Sequence, residues 1–179
     1  MIEITYYAVF LVSLAVWIIA RVLIYKRDGF FSLSNELRHL LLLAYVMLIV
    51  RGVIFPLRSV DGRAVRIVLN FYQTVPPNIN LVPFTFVSDF YQGWQVNVIG
   101  NIVAFIPVGI LFPYCFKKID RFWKILLVGF GFTLLIETTQ LFLTDRCSDV
   151  DDLILNTFGA AIGAAVFYLV KMIRNKQKV

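Results

Sequence analysis

The sequence predicts an all-α fold, a polytopic transmembrane bundle of five spans, on three observations. The first is composition: of 179 residues, 60% are hydrophobic and 16% charged, with a mean hydropathy of +0.81. A soluble domain averages roughly 45–50% apolar and about 25% charged residues, so this chain cannot present a watery surface. The second is run length. Five apolar runs, at residues 4–25, 37–55, 96–115, 124–143 and 153–172, approach the ~20 residues that cross a bilayer as a helix. The third is pattern: the runs lack the period-two alternation of a membrane barrel. No internal repeat or low-complexity linker interrupts them, so residues 1–179 read as a single transmembrane domain.

The first span follows an opening segment, Met1–Tyr7, without the positive region of a signal peptide. No small-residue cleavage site follows, so the run is expected to stay in the protein. The second span leads into a long connection, residues 56–95. Residues 64–72 there are expected to form an amphipathic interfacial helix. Pro76, Pro77 and Pro83 then hold an extended or turning path. Phe84, Phe86, Phe90, Tyr91 and Trp94 make an aromatic-rich outer loop, a composition suited to the membrane interface. It reads as a loop lying on headgroups or as a cover over a site between helices. The third span contains Pro107, expected to kink it. In the fifth, Gly159, Ala160, Gly163 and Ala164 make a face for close helix packing.

Cation placement orients the bundle. Arg21, Lys26, Arg27, Arg38, Lys117, Lys118, Arg121, Lys124, Lys171, Arg174, Lys176 and Lys178 fall on one side. Arg51, Arg58, Arg63, Arg66 and Arg146 fall on the other. The N-terminus is therefore expected outside and the C-terminus inside. The formal charge of +6 follows the span ends, which argues against nucleic acid as a partner. Cys115 and Cys147 lie at opposite ends of the bundle, too far apart to bridge. Arg146 would favour a Cys147 thiolate, yet no outer histidine serves as its base.

Polar residues recur at helical spacing near the outer ends of three spans. Asn97 and Asn101 are four apart. Thr133, Glu137, Gln140 and Thr144 follow at four, three and four. Asp149, Asp152, Asn156, Gly159 and Gly163 follow at three, four, three and four. An ionisable group inside a span costs ~2.5–3.5 kcal/mol at its centre, so Glu137 is expected to face protein, about 9 Å below the outer end. Arg51 and Arg146 are its candidate partners. Bland readings exist beside this one. Ser148 with Asp151 resembles a capping box, acids favour a helix start, and the asparagines could simply join helices. None of these accounts for Arg51, Glu137, Gln140, Asp152 and Asn156 converging at one depth. The expected pocket comprises Arg51, Asn80, Asn97, Asn101, Glu137, Gln140, Arg146, Asp149, Asp152 and Asn156, with no metal and no cofactor.

At these residues the chain resembles the VanZ-like family, named for a teicoplanin-resistance protein. The matching strings are Asn80-Leu81-Val82-Pro83-Phe84, the stretch from Asn101 to Leu111, Glu137-Thr138-Thr139-Gln140, and the stretch from Arg146 to Gly159. They cover a core of about residues 40–170. The resemblance implies a bacterial cell-membrane protein linked to lowered susceptibility to lipoglycopeptide antibiotics. It assigns no catalytic residue.

Two functions fit the pocket. A binding module would hold a membrane lipid headgroup or lipid-linked cell-wall precursor at the outer leaflet and so modulate teicoplanin susceptibility. A membrane-embedded enzyme would modify the same class of lipid by carboxylate acid/base chemistry, with an arginine or a carboxylate-bound divalent ion assisting. The lack of an outer histidine, a nucleophile elbow or metal-ligand spacing favours binding. A proton-coupled transporter or flippase is a third possibility.

Overall fold

The computed structural model describes residues 2–29, 31–55, 66–69, 79–85, 94–143 and 146–177. Five of its helices are long and apolar enough to cross a membrane. The chain divides into two compact units, residues 1–75 with 142–145, and residues 76–141 with 146–179.

The first unit opens with strand β1 (Ile2–Thr5), followed by helix α1 (Tyr6–Asp28). Thr5 Oγ1 accepts from Ala8 N at 3.3 Å and starts the helix. Gly29, at φ 73°, stops it in a left-handed cap that donates to Tyr25 O at 2.9 Å. Helix α2 (Leu33–Ile49) runs back beside α1 and passes into a π-helical turn, Val50–Ile54. It begins four residues before the expected span because Glu36 has a partner there. Glu36 takes Arg21 Nε at 2.6 Å and also pairs with Arg21 Nη2. At the opposite end Tyr6 donates to Met47 O at 3.2 Å and meets Phe55 edge-on at 5.5 Å.

The expected amphipathic helix at 64–72 is not what forms over its described part. Arg66–Leu69 is strand β2, antiparallel to β1 with Ile4 opposite Ile67. Ile67 and Val68 favour extended backbone once a neighbouring strand supplies hydrogen bonds. Period reading of so short an apolar window cannot separate helix from strand. The rest of that segment, with Phe86, Phe90 and Tyr91 of the aromatic loop, lies outside the described residues.

The second unit is a three-helix bundle. It consists of α3 (Trp94–Cys115), α4 (Phe122–Gln140) and α5 (Val150–Lys176). A short parallel ladder joins β3 (Ile79–Asn80) to β4 (Ser148–Asp149) beside the start of α5. The closest packing is α3 on α5. A Cβ added at Gly159 or Gly163 would run into the backbone carbonyls of Ile102 and Ile106, and one at Gly109 into the backbone of Ala160 and Ala164. With no side chain between them, the two helices meet backbone to backbone, the packing that small residues permit in a bilayer. Gly129 brings α4 close to α5 as well, its backbone meeting the Ala160 methyl. Phe105, Val108, Ile125, Ala160 and Ala164 are fully enclosed here. Val96, Val103, Leu127 and Leu135 point outward, where lipid tails are as apolar as any core.

Candidate functional site

Five polar segments of the second unit converge at the end where α4 stops and α5 starts. The α5 start is the organiser. Asp149 is its N-cap and accepts from Asp151 N at 2.8 Å. The expected Ser148–Asp151 capping box does not form. Asp149 takes the capping role, and the Asp151 side chain turns elsewhere.

Successive helical residues point about 100° apart, so the acids of this turn fan out to different neighbours. Asp149 receives the Asn80 amide at 3.2 Å on each carboxylate oxygen. Asn80 in turn accepts from Val82 N at 3.1 Å, closing a turn that aims its amide at β4. Asp151, nearly fully buried, accepts from Phe84 N at 2.5 Å, Thr85 N at 2.9 Å and Thr85 Oγ1 at 2.7 Å. That clamp holds Phe84 at φ 63°, a conformation that costs a bulky residue ~1–3 kcal/mol and persists only where the surroundings impose it. Asp152 faces α3, where it accepts the Asn101 amide and meets the Asn97 side chain.

Glu137 comes from α4, and its Oε2 accepts Asp149 N at 2.8 Å. Because α4 ends at Gln140 and not near residue 143, Glu137 sits in its last turn. That is about one helical turn from the helix end, half the expected depth. One turn deeper, Asn156 donates to Thr133 Oγ1 at 2.9 Å and ties α5 to α4. Buried acceptors are also left over. Glu137 Oε1 and Asn156 Oδ1 have no hydrogen-bond partner among the described residues, at 5% and 1% residue exposure.

The structure thus brings together Asn80, Asn97, Asn101, Glu137, Asp149, Asp152 and Asn156. Gln140 is buried at the end of α4, and Arg146 is partly buried just before β4. Arg51 belongs to the other unit, where its guanidinium lies 5.9 Å from the Tyr6 ring centre. Sequence reasoning missed Asp151 and Thr85 because an acid at a helix start has a sufficient explanation in capping. The available signal was redundancy: three acids stand where one cap is needed. Cys147 is exposed, and partial desolvation together with the Asp149 charge holds its thiol above the ordinary cysteine range. It is therefore not an activated nucleophile. Among the described residues no three His, Cys, Asp or Glu side chains are grouped to hold a metal ion.

The VanZ/LLP1 family model matches residues 42–171. The chain belongs to the VanZ/LLP1 family. The matched region contains the whole polar cluster from Asn80 to Asn156 and leaves out α1. Protein VanZ of Enterococcus faecium is 30% identical over 116 residues, which is 63% of this chain and 64% of that protein. The chain thus covers less than two thirds of that VanZ/LLP1 relative's length. No solved structure matches.

Proposed function

We propose that this VanZ/LLP1 protein is a non-enzymatic binding module of the bacterial cell membrane. It holds a lipid headgroup or a lipid-linked envelope precursor at the outer leaflet and lowers susceptibility to teicoplanin. The orientation proposed is N-terminus outside and C-terminus inside, on the placement of lysine and arginine. The observation that carries the reading is that buried acceptors, Glu137 Oε1 and Asn156 Oδ1 among them, have no hydrogen-bond partner among the described residues. Buried polar atoms are nearly always paired, so orphans on successive turns of the same helices mark where another molecule's donor belongs. The depth, at helix ends and not mid-span, suits a ligand carried in the headgroup layer. Kinship with Protein VanZ supplies the link to the antibiotic.

Acid/base catalysis is the weaker reading. It asks for two carboxyl groups free to exchange protons with a substrate. Here Asp149 and Asp151 are committed to structural donors on both oxygens, and Asp152 to α3.

The test is susceptibility in a teicoplanin-sensitive host expressing the chain. Wild type should raise the inhibitory concentration, and Glu137→Gln should remove most of that gain at equal membrane abundance. Unchanged protection by Glu137→Gln together with Asp152→Asn would exclude the cluster from function.

A further inference from the structure

The site's charge identifies the ligand group more narrowly, an argument that rests on the lipid-binding reading above. Four carboxylates, those of Glu137, Asp149, Asp151 and Asp152, gather within one turn of the α5 start, linked through Asp149 N, Asn80 and the first-turn amides. The ion pairs formed among the described residues, Arg21–Glu36 and Lys124–Asp120, involve none of them. Among the described residues the hydrogen-bond partners of these carboxylates are neutral: backbone N–H groups, asparagine amides and the Thr85 and Ser148 hydroxyls. Like charges in a partly dry site repel strongly unless a cation or protons compensate them.

The orphans have the same sign. Glu137 and Asn156 each offer an unpartnered oxygen: Glu137 Oε2 is occupied by Asp149 N, and Asn156 Nδ2 gives one of its two hydrogens to Thr133. A phosphate would add negative charge beside four carboxylates and bring acceptors to acceptors. A divalent ion needs several oxygens turned toward one point, Ca²⁺ about six to eight. The acids here diverge to β3, the 84–85 turn and α3, and form no such group. A compact cation with several N–H donors fits both the charge and the orphans.

We infer that the cluster between α3, α4 and α5 takes a primary ammonium group, with Glu137 Oε1 and Asn156 Oδ1 as its acceptors. That chemistry occurs on the headgroup of an amino-phospholipid and on a free amine of a lipid-linked peptide. The neighbouring turn suits a lipid-borne amine, because Leu81, Val82 and Phe84 stand exposed on the segment that Asp151 clamps beside the site.

The experiment uses the purified full chain in nanodiscs of phosphatidylcholine, whose quaternary amine donates no hydrogen bond. Phosphatidylethanolamine, N-acetyl-phosphatidylethanolamine, phosphatidylglycerol and a polyprenyl diphosphate bearing a lysine peptide are added in separate arms. Retained lipid is counted by native mass spectrometry. Preferential retention of phosphatidylethanolamine, or of the lysine-peptide lipid, supports the inference and names the source. A hydrogen-bonded charge predicts about tenfold to hundredfold preference over the N-acetyl analogue. Glu137→Gln should erase that preference, with Asp120→Asn, at the other end of α4, as the control. Equal retention of amine and N-acetyl lipids by wild type overturns the ammonium assignment, since a site filled by protons or water makes no such distinction, yet leaves lipid binding standing. Retention of none of these lipids overturns both.

Discussion

The middle and the acidic end of the α3–α4–α5 bundle use the same three helices in opposite ways. Along the seam of Gly109, Gly159 and Gly163, side chains are absent and backbones touch. At the acidic end the backbones are held apart by side chains that bridge helix to helix, helix to strand and helix to turn. In lipid there is no hydrophobic drive to bring helices together, so close dispersion contact must do so. The seam supplies that contact and leaves no freedom to adjust. The polar end then need not hold the bundle closed, and it can keep buried acceptors such as Glu137 Oε1 and Asn156 Oδ1 unsatisfied among the described residues. A cluster with buried orphan groups is tolerable only beside a rigid clamp of this kind.

The largest effect should come from breaking the seam. In Gly163→Leu, Cβ would meet the Ile106 carbonyl, a backbone atom that cannot move aside without separating α3 from α5. A loss of about 3 kcal/mol or more is expected, read as a collapse of folded yield and melting temperature in detergent. Gly131→Ala sharpens the contrast: a Cβ there meets nothing, so the change should be neutral or slightly stabilising through helix propensity. Next comes the polar end. Asp151→Ala removes the acceptor for Phe84 N, Thr85 N and the Thr85 hydroxyl, and about 1–3 kcal/mol should be lost. Hydrogen exchange at residues 84 and 85 should rise while the α3–α5 seam stays protected. Equal loosening of the seam would show that the seam and the polar end are not separable.

The smallest effect is electrostatic. The Cys147 thiol is held above its ordinary range by partial burial and then by Asp149. Since a raised thiol pKa leaves less thiolate at neutral pH, alkylation at pH 7 should be slower than for an ordinary exposed cysteine. It should recover as pH rises through the shifted value, and Asp149→Asn should move that rise to lower pH. An impermeant maleimide added to intact cells at high pH also tests the proposed orientation, which places Cys147 outside.

Much of this was readable before any coordinates. The five spans announce themselves because crossing a bilayer demands length and apolarity, which are local properties of the chain. The helical recurrence of Asn97 with Asn101, and of Thr133 with Glu137, needed only the period of an α-helix. Glycine and alanine at positions 159, 160, 163 and 164 signalled close packing for the same reason. Other features resisted. The 64–72 window read as an amphipathic helix, yet its described part became a strand because β1 lay alongside to pair with it. Pairing with a segment some sixty residues away leaves no mark on either strand alone. Nor did spacing disclose that Asp151, not Ser148, faces a remote turn.

The chain by itself determined that there are five apolar helices, which faces of α3, α4 and α5 carry polar groups, and where glycine permits contact. These follow from side-chain chemistry and the fixed geometry of one helix. The tertiary structure alone decided which acid meets which partner: Asp149 the Asn80 amide, Asp151 the turn at Phe84 and Thr85, Asp152 the amide of Asn101. It also decided that Glu137 Oε1 and Asn156 Oδ1 are left without one among the described residues. A hydrogen bond depends on distances between segments far apart in the chain, and only the packed backbone sets those distances.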